Sequence, residues 1–440
     1  MSSSLLEPRF FEPPRPSSTH VGTPRLLGYS LPKLASGLLE ATVVPARMTT
    51  DPSSDGRRQA TSVPGPADHA VSVVDSGAAL AGLRSEWNGL LETSREASAF
   101  LSWEWQEAWW RIYGAGRGLR IYTRYRGGRL VGILPLYHQR VGVVPGLTCG
   151  RLRLVGSGGD TSPDYLGALL DPDGEEETAA ALVNHVLDDR GWDALWLSDV
   201  REESPVAVAL QAALARRRER LHIGPSTRIT FLPLAASWET LLAGLDAHWR
   251  QEVRRRRRRL EERGARCVLL EDPAKLDVAF DRLGELHRLR WTRRAERHSF
   301  STPEYLQFHR EVMRRFLKRG WLRLFALQLG DQAIAMRYCF RFRHEVFAFQ
   351  SGFDPAYDRL SPGSVLMSHV VEHSIREGAR VVDMLKGEYP HKKSWSTEQR
   401  TTTSLRVYRP TLSGLLWMLR ERELPALVRS ARSRLTRSRR

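Results

Sequence analysis

Apolar residues recur at helical spacing in "GLRSEWNGLLETS" and again in "SAFLSWEWQEAWWRIYG". Ser102 is placed to cap the second helix, whose Trp103, Trp105, Trp109 and Trp110 offer broad packing surfaces. The period then shortens to alternation, and "RIYTRYRGGRLVGILPLYHQRV" predicts two strands around a Gly127-Gly128 turn. Two helix and strand pairs follow. "EEETAAALVNHVLDDRG", ended by Gly191, precedes the strand "WDALWLSDV"; "SPVAVALQAALARRRERL", begun by Ser-Pro, precedes a closing strand "TRITFLPL".

The plan then repeats. "SWETLLAGLDAHWRQEVRRRRRRLEERG" predicts one long helix, "ARCVLLED" a strand, and two further helices fill Lys275 to Arg319. "WLRLFALQLGDQAIAMRYCFRF" is a second hairpin, turning at Gly330-Asp331, and "GDQAIAM" can be set against the earlier "GGRLVGI" as a repeat at long period. The expectation is an α/β protein built from a duplicated unit. Next come a strand, "HEVFAFQSG", a loop, and a helix starting at Pro362 with Ser361 as its cap. Leu366, Met367, Val370, Val371 and Ile375 form its packed face, Gly378 ends it, and "ARVVDML" is a buried strand. Gly363 leaves the first turn bare. The amides of Gly363, Ser364 and Val365, with the positive end of the helix dipole, are therefore expected to receive a phosphate, although Ser-Pro-Gly is also simply a good helix start.

Composition sets the boundaries. Residues 1–68 are rich in Pro, Ser and Thr without periodicity, so disorder is expected there, and Met48 is an alternative start to Met1. Two α/β domains are expected over 69–234 and 235–409, followed by a basic amphipathic tail over 410–440. Apolar residues make up 41% of the chain, enough for packed cores. Three widely spaced cysteines, Cys149, Cys267 and Cys339, argue for a reducing compartment rather than a disulfide framework. The chain shows neither a signal-like start nor a run long enough to span a bilayer, which points to the cytoplasm.

The formal charge of +17 is uneven: Arg250 to Arg259 holds seven Arg against one Glu, and Arg420 to Arg440 eight Arg against two Glu. A solvated helical face is the plain account of the first stretch, and a docking surface for CoA, a lipid-linked saccharide or tRNA the active one. No nucleic-acid-binding signature accompanies it. The tail suits either peripheral contact with an anionic membrane, at about 1 kcal/mol per basic residue near the lipid, or fraying. "HVVEH" (His369 to His373) matches an H-x-x-E-H zinc spacing but has no third ligand nearby, so no metal is expected.

"HRLRW" (His287 to Trp291), "GFDPAYDRLSPGSVLM" and "ARVVDMLKGEYPHKKSW" in this order resemble the GNAT acetyltransferases of the BioF2-like and CelD-like type, relatives of the FemAB peptidyl transferases. The resemblance covers about 235–410 well, and the first half more weakly through "GILPLY" and "SPDYLGALL". Asp383, Gly387, Glu388, Lys392 and Trp395 fall on the family's pattern, whereas His391 stands where Tyr is usual and Tyr389 where an acidic residue is common.

The resemblance implies tandem GNAT-like domains, each a mixed, mainly antiparallel sheet flanked by helices. It also implies acyl-CoA, most simply acetyl-CoA, lying in a splayed sheet with its pyrophosphate at the helix start. Ser361, Gly363, Ser364 and Val365 are the cofactor-binding candidates, with Lys392 and Lys393 neutralising phosphate or a developing oxyanion. Asp383 and Glu388 are base candidates, and Tyr389 or His391 acid candidates, each of which also has a purely structural reading. His287, Arg290 and Trp291, on one helix, and Asp164 and Tyr165 are expected to border the acceptor, with Trp395 beside them. The implied activity is N-acyl transfer from a CoA thioester to a small-molecule or glycan amine, in polysaccharide or envelope synthesis. The alternatives are an aminoacyl-tRNA-dependent transferase and a non-catalytic anion- or membrane-binding module.

Overall fold

In a computed structural model of the chain, residues 70–292, 299–387 and 390–423 are described; the stretch expected to be disordered and the end of the basic tail lie outside them. The first half by sequence contributes β1 (Val71–Val74), α1 (Gly77–Gly82), α2 (Arg84–Thr93), α3 (Trp103–Tyr113), β2 (Gly118–Arg126), β3 (Arg129–Val144), β4 (Leu147–Leu154), β5 (Leu169–Leu170), α4 (Glu175–Asp188), β6 (Ala194–Arg201), α5 (Pro205–Arg217), β7 (Leu221–Ile223) and β8 (Thr227–Pro233). The second contributes α6 (Trp238–Gly244), α7 (Ala247–Glu261), β9 (Ala265–Leu270), α8 (Leu276–Thr292), α9 (Pro303–Lys318), β10 (Leu322–Leu329), β11 (Gln332–Phe342), β12 (Glu345–Phe353), α10 (Pro362–Arg376), β13 (Val381–Lys386), α11 (Pro390–Lys393), β14 (Gln399–Tyr408) and α12 (Leu412–Met418).

The caps act as their residue types require. The Ser102 and Ser204 hydroxyls accept from the third residue of α3 and α5, Trp105 and Ala207. The single helix expected from residue 237 is instead two. Leu245 leaves the helical region, and Asp246 accepts from the Trp249 amide to start α7, a carboxylate cap that helical periodicity alone does not reveal. Helix α4 also stops at Asp188, short of Gly191.

The strands form one mixed sheet in the order β1-β2-β3-β4-β6-β14-β8-β13-β12-β11-β10-β9, with β5 and β7 at its margins. In each half one pair is parallel: β4 with β6 across α4, and β12 with β13 across α10. A long crossover, here carrying a helix, connects each such pair, because parallel strands cannot be joined by a tight turn. The two halves are not closed separately. Strand β8, expected to close the first half, pairs with β13 of the second, while β14, the last strand, pairs with β6 of the first as well as with β8.

The sheet's faces carry two main cores. One joins the halves through aromatic contacts, Phe100 with Phe340 at 5.4 Å and Trp105 with Phe308 at 4.9 Å between centroids. The other packs α6, α7 and α10 on the second half's opposite face. Gly352 of β12 lets α8 lie directly on the sheet: a Cβ there would sit 2.3 Å from the His287 nitrogen and 2.5 Å from the Leu286 carbonyl carbon. Gly352→Ala is therefore expected to cost at least about 1–3 kcal/mol, read as a lower urea midpoint, because backbone rather than a yielding side chain must move.

The tail begins as a docked element rather than a frayed one. Trp417 of α12 is buried against Val143, Cys149 and Ala194, and Arg420 donates to the carbonyls of Gly142 and Val143. Among the described residues no helix is long and apolar enough to cross a membrane.

Candidate active site

Strands β12 and β13 run side by side only from Glu345–Val381 to Phe347–Asp383, and then part. Beyond that point β13 keeps to β8 through a bulge between Asp383 and Lys386, with Leu385 in the left-handed region at φ 56°. Strand β12 continues to Phe353, and among the described residues its β13-facing edge is then unpaired. A fork of this kind leaves backbone N–H and C=O groups open to an extended ligand.

At the mouth of the fork is a cavity of about 170 Å³, lined among others by Ser351 and Phe353 of β12, Ser361, Gly363 and Ser364 at the start of α10, and Trp395. The helix start differs from expectation. Ser361 is in the left-handed region, φ 52°, and its side chain makes no capping bond; its carbonyl accepts from the amides of Ser364, at 3.0 Å, and Val365, at 3.2 Å. Those two donors are thus turned inward, and of the three amides expected to meet a phosphate only that of Gly363 has no acceptor among the described residues. The Ser361 hydroxyl, released from capping, belongs to the cavity wall.

The cations also differ. The Lys392 side chain is buried, and its ammonium donates to the carbonyls of Met384 and Leu385 at 2.8 Å and of Lys386 at 3.1 Å. It satisfies acceptors that the parting of β13 would leave bare, instead of meeting phosphate, and burial lowers it to about 8. Lys393 is exposed and lines no part of this cavity. The guanidinium groups in the cavity wall are Arg290 of α8, which donates to the Ser351 hydroxyl at 3.2 Å, and Arg337 of β11. Arg337 was not anticipated. Its signal was present in "AMRYC", where it shares a face of β11 with Ala335 and Cys339, both buried against α10.

Behind the fork, two residues of "SPDYLG" reach across from the first half. The Tyr165 hydroxyl donates to Asp383 at 2.6 Å, and Asp164 accepts from the Lys386 amide at 3.0 Å while its other oxygen lies 3.4 Å from the Lys386 ammonium. Asp383 has no exposed surface; it also accepts from the Leu385 amide at 2.8 Å and Arg400 at 3.3 Å, and burial pushes its carboxyl up to about 6 despite these donors. Burial alone would lower Lys386, but Asp164 and Asp199 hold it above its ordinary range. Ser162, Tyr165, Asp199 and Leu385, all at this seam, have positive φ. The arrangement is a clamp that fixes the bulge, with Asp383 sealed away from the cavity instead of standing open as a base.

Of the remaining candidates, Trp395 is buried in the cavity wall against Trp249, at 5.8 Å between centroids. His287 is buried on α8 beside Phe300 at 4.9 Å and does not line the cavity. Glu388 and Tyr389, and the side chains of His391 and Trp291, lie outside the described residues. His369 and Glu372 both meet Arg257, and His373 lies 3.3 Å from Glu377, so the H-x-x-E-H residues are engaged in pairing. On α7, Arg255 and Arg256 pair with Glu252 and Arg258 lies 3.7 Å from Glu262, while Arg254 and Arg258 are exposed to solvent.

The first half has an equivalent parallel pair, but its helix α4 opens with Glu175, Glu176 and Glu177. Three carboxylates at a helix N-terminus favour the helix and repel an anionic ligand, so of the two helices that cross between parallel strands it is α10, with no acidic residue in its first turn, that has the anion-receptive start.

Residues 247–393 match the family model described as an acetyltransferase (GNAT) domain. Among solved structures the chain is similar to the crystal structure of FemX, at 12% identity over 76% of this chain and 98% of that one, with a TM-score of 0.56. It is also similar to the C-terminal DUF2156 domain of a putative lysylphosphatidylglycerol synthetase from Agrobacterium fabrum, at 11% identity over 78% of this chain and 96% of that one, TM-score 0.46. A tandem GNAT protein from the clavulanic acid biosynthesis pathway is 13% identical over 78% of this chain and 99% of that one, TM-score 0.43. No curated protein matches the chain in sequence. The fold is a mixed, mostly antiparallel α/β architecture similar to that of FemX.

Proposed function

Starting from a chain with a GNAT domain at residues 247–393, we propose that it is an N-acyltransferase that takes its acyl group from a CoA thioester. The observation that carries this reading is the fork between β12 and β13, with the start of α10 and its cavity at the mouth. The pantetheine arm would pair with the unpaired edge of β12, and the donor's diphosphate would lie toward Gly363. In the transfer, an amine attacks the thioester carbonyl, the C–N bond forms, the C–S bond breaks, and the thiolate takes a proton. A β12 amide beyond Phe347, where the pairing with β13 ends, would stabilise the oxyanion. With Asp383 sealed in the clamp, Glu388 is left as the candidate to take the amine's proton, and Tyr389 or His391 as the acid that protonates the thiolate; all three follow β13 in the sequence. Lys392 acts by holding the fork open.

Titration calorimetry with acyl-CoAs tests the reading. Wild type is expected to bind saturably, and Gly363→Trp to lose binding with little change in Tm, because a Cβ at Gly363 meets only Phe353, at 3.5 Å. Unaltered binding by this variant would place the donor elsewhere.

The FemX-like fold and the exposed Arg254 and Arg258 favour a second reading, an aminoacyl-tRNA donor. It predicts tRNA binding that weakens steeply with salt, in the absence of CoA binding. Binding to anionic vesicles or nucleic acid, with no turnover of any donor, would instead indicate a non-catalytic module.

A further inference from the structure

The wall of the cavity contains a charge without a counter-charge. Arg337 makes no hydrogen bond or ion pair among the described residues, and its Nε is sealed from solvent with no acceptor. Its neighbours along that face of β11 are Ala335 and Cys339, which offer no carboxylate. Lys392 adds repulsion, and Arg290 is a further cation in the same wall. Asp358, exposed beside the cavity, does not pair with it. Burial lowers the guanidinium from its ordinary range, yet arginine stays protonated at any physiological pH, so the charge cannot be shed. A cation set this way costs free energy that folding alone gives no reason to accept, since an aliphatic side chain of similar length would fill the same space. Its remaining exposure lies in the wall of a cavity that also holds the unmatched Gly363 amide and the Ser361 hydroxyl. Residues of β11 and of the start of α10 that carry these donors thus line one cavity, and guanidinium with amide donors is a set suited to a tetrahedral oxyanion.

We infer that Arg337 is the donor-specificity residue of this cavity: its guanidinium is the fixed counter-charge for a phosphate group of the donor, so the site selects phosphate-bearing thioesters over uncharged ones and binds the phosphate even without the rest of the donor. This rests on the donor reading above only for what carries the phosphate.

The probes are inorganic pyrophosphate, CoA and pantetheine, the last having the donor arm without its charged end. The readouts are thermal melting and calorimetry on the full chain, wild type beside Arg337→Met and Arg337→Gln. Wild type is expected to bind CoA at least about thirtyfold more tightly than pantetheine and to melt higher with pyrophosphate. Without ligand, Arg337→Met is expected to melt at or above the wild-type temperature, with the pyrophosphate shift gone and the preference for CoA over pantetheine largely lost. A purely structural arginine predicts the reverse, a lower melting point with ligand discrimination intact. That result, or wild type indifferent to pyrophosphate, or failure of both variants to fold, overturns the inference. If pyrophosphate binding depends on Arg337 but no acyl-CoA is consumed, the inference stands and the acyltransferase reading falls.

Discussion

Residues 235–440 produced alone are expected to show no cooperative unfolding transition, despite containing the whole family-matched segment. In that fragment β13 would lose β8 along its length and retain only its short pairing with β12, while β14 would lose β6, β7 and β8. The aromatic core would open as well, because Phe308 and Phe340 pack against Trp105 and Phe100 of the first half. Unpaired strand edges beside exposed apolar rings favour aggregation. Co-production of 69–234 and 235–440 as separate chains is expected to restore one sharp thermal transition. Circular dichroism of the three preparations checks this, and a fragment that melts cooperatively by itself would contradict it.

Asp383→Ala is expected to lower stability by about 3–5 kcal/mol, because it strips three donors of a shared buried acceptor. Arg400 keeps Glu345, at 2.7 Å, but the Tyr165 hydroxyl and the Leu385 amide lose their acceptor, the latter at a residue already held at positive φ. Tyr165→Phe removes one donor and leaves the rest, so about 1 kcal/mol is expected. Urea denaturation resolves both, and pH adds a signature. The Asp383 carboxyl lies at about 6 in the folded protein, above its ordinary value, so the folded state holds this proton more readily than the unfolded chain. Its contribution is fully present below about pH 4 and is lost as pH rises through about 6. The stability gap between wild type and Asp383→Ala is thus expected to be widest near pH 4 and to narrow by up to about 3 kcal/mol toward pH 7. A gap independent of pH would mean that Asp383 is not set as described.

Local signals in the sequence were largely sufficient for the elements. Capping serines, Gly-Gly and Gly-Asp turns and the change of period located the hairpins and most helices, because these are short-range effects. The repeat between the hairpins likewise foretold the doubled architecture. Strand β14 was not foreseen: "QRTTTSLRVY" is mostly polar, and its place is decided by β6 and β8, far away in the chain. For the site, the family pattern directed attention to the segment that contains the fork, and Asp164, Tyr165 and Asp383 do come together. Their joint arrangement as a closed clamp depends on burial, which spacing does not report. The positions of Lys392 and Arg337 were illegible for a related reason. A lysine in a cationic loop reads as solvent-facing until three strand carbonyls are found beneath it, and an arginine inside a strand reads as surface until the facing helix is known.

The crossing of β8 and β14 between the halves also imposes a timetable on the newborn polypeptide. Strand β6 leaves the ribosome with one flank awaiting a neighbour encoded roughly two hundred residues later, a wait of about 10–40 s at ordinary elongation speeds. Throughout that interval the emerging protein displays an adhesive border to every other chain nearby, so its yield in a cell will depend on how well that border is shielded until translation ends.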